Sequence, residues 1–503
     1  MFKKLFLSAV VASTFVGGVV QAAPHELTVA QRQDPGSWDP IDTFLVAWSS
    51  AGSGLFDGLI LRDESLKLQP GLAEKWEELD NGLRIRFTLR QNVKFHNGEP
   101  FNADAVKFTF ERLLGDEGKK GPQRSNYTAI QEVKVIDANT VDFILNKPDP
   151  VLLTKLSGYG AMIVPPKYIA EKGDAYFNEH PVGTGAFKFE SYKPGDRLVL
   201  VPNNDYWGGK PKLQKLTYRF IKEDATSLAE LQSGRVDVWH DVAISAVPII
   251  EKNKDSKVVA ENGPTIMSLQ LDVSKGVTKD VRVRQALNMA IDKKVIIDTF
   301  LMGQAEPIAS LQGKLSFGYD ENLKDYPYDP EQAKKLLAEA GVKPGTKLTI
   351  DYRGANSTFA EVTQALTAFF GNIGLDVGLR PVEDAVFLND IVPQGKTNEM
   401  FQFNWGGWTF DFDNTAYLVY HSGEKWNPYL KSEEMDKLLE KQRVAVDKDE
   451  RLKLLREVAK LAHDQAYHIP LYNSKTLYGV SNKVKDFLPA PDVRVRYINT
   501  DVE

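Results

Sequence analysis

Apolar residues recur along this chain at two periods. At period two, Leu27 and Val29 alternate with polar neighbours and predict a strand that runs into a Pro/Gly turn at residues 34–40. Leu83, Ile85, Phe87 and Leu89 alternate with Arg84, Arg86 and Thr88, and with the turn dipeptides Asn81-Gly82 and Asn97-Gly98 they predict a hairpin. Leu348, Ile350 and Tyr352 predict another strand, Val377 and Leu379 a further one, and Phe401 and Phe403 one that Gly406-Gly407 breaks. At helical spacing, residues 45–61 carry an apolar face that ends near Gly58. Asn102-Ala103-Asp104 caps a helix whose face is Val106, Phe110 and Leu113. Leu287, Ala290, Ile291 and Val295 form one stripe, Asp329-Pro330-Glu331 starts a helix that stops at Gly341, and residues 360–370 are helical. Residues 437–463 form a pair of amphipathic helices whose many charges read as a solvated face. Strands and helices in such alternation imply α/β lobes with helix-covered sheets.

Length and composition narrow the class. With 503 residues the chain exceeds what one core fills, so two or three globular units are expected. Apolar and charged fractions of 42% and 26% are those of an ordinary soluble protein, and a formal charge of −6 offers no basic surface for nucleic acid. No cysteine is present, which removes disulfides, thiolate catalysis, iron–sulfur clusters and a lipid-bearing cysteine together. Residues 1–22 pair Lys3 and Lys4 with the apolar run from Leu5 to Val20 and end in Val20-Gln21-Ala22-Ala23, the pattern of a cleaved secretory signal peptide. Its loss takes the formal charge from −6 to −8. A soluble product without a lipid anchor is retained only behind a second membrane, so a Gram-negative periplasm is the expected location.

The richest local chemistry lies in residues 401–429, FQFNWGGWTFDFDNTAYLVYHSGEKWNPY. Three of the eight tryptophans fall here, with Asp411 and Asp413 one residue apart among Gly, Phe and Thr. Flat apolar side chains beside a few acids suit a concave small-molecule site, and they equally describe a core strand followed by an acidic loop.

The middle of the chain carries a family pattern. Leu72-Ala73-Glu74-Lys75-Trp76, Asp80-Asn81-Gly82, Phe87-Thr88-Leu89-Arg90, Val93-Lys94-Phe95-His96-Asn97-Gly98 and Asn102-Ala103-Asp104-Ala105-Val106 follow in order. PVGTGAFKFESY from Pro181, Asn203-Asn204-Asp205-Tyr206-Trp207, ATSLAELQSGRVDV from Ala225, VRVRQALNMAID from Val281 and YPYDPEQAKKLLAEAG from Tyr326 continue it. The chain resembles the dipeptide, oligopeptide and nickel solute-binding proteins of ABC importers over all but the signal peptide. The resemblance implies a periplasmic-binding-protein-like α/β fold of two hinged lobes with an additional inserted domain. It implies a discontinuous first domain of residues 23–55, 175–265 and 480–503, an inserted domain of 56–174, and a second ligand-binding lobe of 266–479. It also implies a monomeric receptor that passes short peptides to an inner-membrane ABC permease.

A zwitterionic peptide brings an ammonium and a carboxylate that both lose water when lobes close, so one fixed acid and one fixed base are expected. In the peptide-binding branch an aspartate in the turn after the Trp-rich strand holds the amine. Trp408-Thr409-Phe410-Asp411-Phe412-Asp413-Asn414 resembles that branch's Asp-Pro-Asp-Asn pattern with Phe412 in place of proline, so Asp411 is the expected amine partner and Asp413 the alternative. Asp413 also fits a helix cap. Arg353, after its strand, resembles the carboxylate-holding arginine and fits a salt bridge between lobes equally well. Gly354 and Asn356 beside it leave room for close backbone approach. Trp405, Gly407, Trp408 and Tyr429 are candidate walls, with core packing as the alternative.

Enzyme motifs fail one by one. Gly183-Thr184-Gly185 lacks the third glycine of a dinucleotide loop, and Gly395-Lys396-Thr397 has Asp390 where a phosphate loop needs glycine. No nucleophile elbow or His-Glu-x-x-His occurs, and Ser422 to Lys425 has the spacing of a Ser-Lys pair without its companion motifs. His463 and His468 do not share a helix face, so no metal ligand set and no cofactor are expected. Other cargo stays open: a nickel chelate near His421, a sugar stacked on Trp405, Trp408 and Trp426, haem, or an opine.

Overall fold

The computed structural model describes residues 25–43, 45–354 and 357–503, so the expected signal peptide and Asn356 lie outside the described residues. An eleven-stranded mixed sheet runs through the molecule. Its main path is Leu375–Val382, Thr346–Arg353, Met400–Gly406, Ser256–Leu271, His468–Ser481, Val238–His240, Glu26–Gln31, Lys215–Phe220, Arg197–Pro202 and Phe187–Lys193. One end of this path belongs to a first lobe, whose core holds Trp38, Trp48, Phe187, Tyr218 and Tyr478. The other end belongs to a second lobe, whose core holds Leu287, Ile350, Phe370 and Tyr472.

Two long antiparallel strands join the lobes. Ser256–Leu271 pairs with His468–Ser481 from Ser256↔Ser481 to Asn262↔Lys475, then the register breaks and resumes at Ile266↔Asn473. The Asn473 side-chain amide spans the break, donating to the carbonyls of Gly263 at 2.9 Å and Thr265 at 2.8 Å. Beyond it, Thr265 to Leu271 pair with the Trp-bearing strand Met400–Gly406.

A separate four-stranded antiparallel sheet, Ala73–Leu79, Arg84–Leu89, Thr140–Leu145 and Ile130–Asp137, forms a third unit. The alternation read from the sequence buries Ile85, Phe87 and Leu89, while Arg84 and Arg86 both reach Asp142 on the neighbouring strand. Asn81 at φ 54° and Gly82 at φ 79° make the hairpin turn; Asn97-Gly98 instead closes its own short bridge between Lys94 and Pro100. Asn102 caps the helix Ala103–Leu114 by accepting from Ala105 N, and Phe110 packs edge-on against Phe143.

The single stripe expected from Leu287 to Val295 is two helices, Val281–Met289 and Lys293–Phe300. Asp292 caps the second by accepting from Val295 N, and Val295 itself is 46% exposed. A side-chain cap ended the first helix's continuity where spacing alone ran on. Among the described residues no helix is long and apolar enough to cross a membrane.

Candidate functional site

The Trp-bearing strand Met400–Gly406 ends at the seam between lobes, and Gly406-Gly407 releases the chain into a tight turn. Phe410 takes φ 52°, a left-handed conformation that an aromatic residue adopts only under constraint. That constraint is visible: Phe410 N donates to Gly407 O at 2.9 Å, and Phe317 N donates to Phe410 O at 2.8 Å, while Phe412 N returns to Phe317 O at 3.0 Å. The next helix is Phe412–Tyr420, and its cap is Asp411, which accepts from Asp413 N. The cap expected at Asp413 therefore sits two residues earlier.

Both acids are engaged within the second lobe. Arg451 Nη1 and Nη2 each donate to Asp411 at 2.7 Å, a bidentate pair in which the side chains are 4% and 7% exposed. Arg443 Nε donates to Asp413 Oδ1 at 2.7 Å, with Gln442 donating to the same oxygen. Arg451 Nε reaches Gln442 Oε1 at 3.2 Å, so one chain of hydrogen bonds ties the two acids together. The arginines come from the helices Glu433–Val444 and Lys448–Asp464, whose charges read as solvated from the sequence. Arg451 and Gln442 turn inward instead, while Arg443 covers Asp413 from a position 41% exposed, so two largely buried carboxylates gain partners.

The remaining expected residues separate. Arg353 Nη2 pairs with Asp384 Oδ2 at 2.5 Å, and its backbone N–H donates to Gln402. Tyr429 lies in a small core with Phe387, Val392 and Phe401, its hydroxyl bonded to Thr397. Trp405 stacks on Phe403 and donates to Asn414 Oδ1 at 3.2 Å. His421 stacks on Tyr417, and Trp426 packs beside the Tyr429 cluster. Trp408 does cross the seam: its ring meets Tyr159 edge-on at 5.9 Å, and a Cβ on Gly158 would lie 2.5 Å from its Cζ3.

Arg62, at the end of the strand Ile60–Arg62, crosses in the opposite direction. It donates to the carbonyls of Trp408 at 3.0 Å and Thr409 at 3.2 Å, and to Thr154 O at 3.3 Å. Beside it an open cleft is lined by Phe56, Arg62, Ser157, Asp492, Arg494 and Arg496. Arg494 grips Asp492 at 2.7 and 2.5 Å, and Arg496 Nη2 grips Asp57 Oδ1 at 2.7 Å. Burial, with the Arg494 charge beside it, pulls the Arg62 guanidinium down to about 9. On the other side of the turn a second, smaller hollow is lined by Gly263, Pro264, Gln312, Gly407, Phe410 and Asp411. The turn thus separates two hollows, one against each lobe. Among the described residues no three His, Cys, Asp or Glu side chains gather as a metal site.

Sequence reasoning missed Arg62, Arg451, Asp492, Arg494 and Arg496. Asp492-Val-Arg-Val-Arg alternates in the sequence, but Val493 takes φ 64° in a turn, so that alternation does not place its charges on one strand face. A lone arginine after an apolar run, as at Arg62, carries no signal.

Comparison with known proteins bears on the whole assembly. The family model of bacterial extracellular solute-binding proteins, family 5, matches residues 67–427. Heme-binding protein A of Haemophilus influenzae is 29% identical over 88% of this chain and 86% of its own length. The dipeptide-binding protein of Escherichia coli K12 is 26% identical over 99% of this chain and 98% of its own. A periplasmic binding protein of Helicobacter pylori, solved with the peptide STSA, superposes with a TM-score of 0.77 at 26% identity, covering 95% of this chain and 98% of that one.

Proposed function

The chain belongs to the bacterial extracellular solute-binding proteins of family 5, and from that premise we propose that it is a periplasmic receptor that encloses short peptides between its lobes. It hands them to an inner-membrane ABC permease, acts as a monomer, reaches the periplasm through a signal peptide cleaved near Ala22, and needs no catalysis. The observation that carries this reading is the seam itself. Two lobes joined by two strands meet on one turn, with Arg62 and Tyr159 of one side gripping Trp408 and Thr409 of the other. Such contacts exist only when the lobes are together, so they bias a closing motion, and a solute that adds contacts to both faces shifts it further. We place the hinge at residues 262–266 and 473–475, where the register breaks. On this reading the chain would pass between the lobes at those two places.

Within this reading Trp405, Gly407 and Trp408 form the bed of the site. Asp411 and Asp413 position it, since their charges already answer Arg451 and Arg443. Arg353, paired with Asp384, buttresses the edge of its strand. That engagement of both acids favours a second reading for the same receptor, in which the cargo is an amino-acid conjugate without a required ammonium. Native mass spectrometry of protein purified without refolding tests the choice. A retained mass that fragments as a peptide supports the first reading; haem, a metal chelate or a conjugate removes it.

A further inference from the structure

Three of the large apolar side chains left at the surface belong to one junction. Leu83, beside the hairpin turn of the third unit, is 40% exposed; Val444 and Val446, where the helices Glu433–Val444 and Lys448–Asp464 of the second lobe join, are 56% and 47% exposed. Gly82 brings the two sides together: a Cβ on it would lie 3.2 Å from Val446 Cγ2 and 3.6 Å from Pro148 Cβ. Its φ of 79° calls for glycine, and the lack of a side chain lets the hairpin tip sit directly on Val446.

From Pro148 the chain continues along the second lobe. Asp149 is held by Lys155 at 2.6 Å and also bears on Arg451: burial opposes that guanidinium's charge, Asp411 and Asp413 raise its pKa, and Asp149 adds to them from across the seam. Thr154 O accepts from the Arg62 fork, whose other bonds end on Trp408 and Thr409, and Gly158 and Tyr159 lie against the Trp408 ring. Behind this strip Tyr127, fully buried in the core of the third unit, donates through its hydroxyl to Lys155 O at 2.8 Å and reaches Tyr159 O. Residues 148–159 are thus fixed to their own domain on one side and applied to the second lobe on the other. Gly82, Asp149 and Val446 stand outside the bed of Trp405, Gly407 and Trp408.

Building on the solute-receptor reading, we propose that the hairpin tip and residues 148–159 form a clasp, a set of contacts between protein groups that holds the third unit on the second lobe and sets the balance between open and closed receptor. The clasp recognises no solute. It acts on the fraction of receptor that is closed, and that fraction scales the affinity for every solute alike, whereas a residue that touches cargo changes affinity solute by solute.

Val446→Asp removes the apolar contact and sets a carboxylate against the hairpin tip that carries Asp80, while Asp149→Asn keeps the acceptor used by the Val151 N–H and removes the charge. Val295→Asp, at a similarly exposed valine of the helix Lys293–Phe300, is the control. In the mature chain, refolded from guanidinium so that no solute is carried over, X-ray scattering should give Val446→Asp and Asp149→Asn a larger radius of gyration than wild type and the control, with far-UV circular dichroism unchanged. Calorimetry with Ala-Ala-Ala and Ala-Phe-Ala should show both affinities reduced in Val446→Asp by one common factor of about three or more. No expansion in Val446→Asp overturns the clasp. So does a loss of affinity for one tripeptide only, or an equal expansion in Val295→Asp. If neither tripeptide binds wild type, the peptide reading falls and scattering alone decides: expansion confined to the two clasp variants upholds the proposal, and its absence removes it.

Discussion

Replacing Asp411 by alanine separates a ligand-binding acid from a structural one. Three hydrogen bonds end on this carboxylate: two from Arg451 at 2.7 Å and one from Asp413 N at 3.0 Å. Losing the cap costs about 1 kcal/mol. Leaving Arg451 buried without its partner costs about 3–5 kcal/mol, since both side chains are almost fully covered. Alanine should therefore destabilise the second lobe by about 4–6 kcal/mol, a shift read from the midpoint of the lobe's urea transition. Tryptophan fluorescence suits the assay because Trp405 and Trp408 sit at the affected turn. A chain with several cores unfolds in more than one step, so the lobe's own transition is the quantity to compare. Asp411→Asn keeps an acceptor for the cap and should lose less. Combining it with Arg451→Met removes both charges and should restore most of the loss, as expected for a coupled buried pair. The reasoning fails if Asp411→Ala stays within about 1 kcal/mol of wild type while peptide affinity drops at least tenfold. The carboxylate would then serve the solute and not the turn.

Three further outcomes follow from the geometry. Gly158→Val places carbon where the Trp408 ring lies, so it should prop the lobes apart, raising the radius of gyration in X-ray scattering and weakening solute binding at least tenfold, with secondary structure unchanged. His240 and His468 are held neutral by burial at about 3, against about 6.5 in an unfolded chain. Their contribution is complete above pH 6.5 and is lost as pH falls towards 3, because only the unfolded state takes up protons in that window; each should cost about 2 kcal/mol by pH 5. His468→Phe should flatten this slope in urea titrations at pH 7 and pH 5, and an unchanged slope would remove His468 from the account. Asn102→Ala should cost about 1 kcal/mol in the small antiparallel domain and speed amide exchange in the first turn of the helix Ala103–Leu114.

Much of the fold was written in local pattern. The hairpin at residues 73–89, the cap at Asn102 and the strand Thr346–Arg353 follow from alternation and capping chemistry that act within a few residues. The site was legible only in its aromatic half. Trp408, marked in the sequence only as a candidate wall, meets Tyr159 across the seam, whereas the partners of each acid were decided by residues 30 to 40 positions away. Arg443 and Arg451 look like surface charges because amphipathic spacing says which side faces inward, not whether a buried carboxylate waits there. Arg62 joins carbonyls 346 and 347 positions along the chain, a pairing set by how the lobes meet and absent from any local window.

The interrupted ladder between Ser256–Leu271 and His468–Ser481 constrains how this molecule can move. Paired strands resist sliding along their length but yield to torsion, and here torsion concentrates where Asn473 tethers the facing backbone. On the proposed receptor reading, opening would be a swing about that pivot, with displacement growing with distance from it. On that reading the backbone beside Gly263 and Pro264 would move least, so a part of the cargo seated there would dock early and the rim would complete the enclosure afterwards.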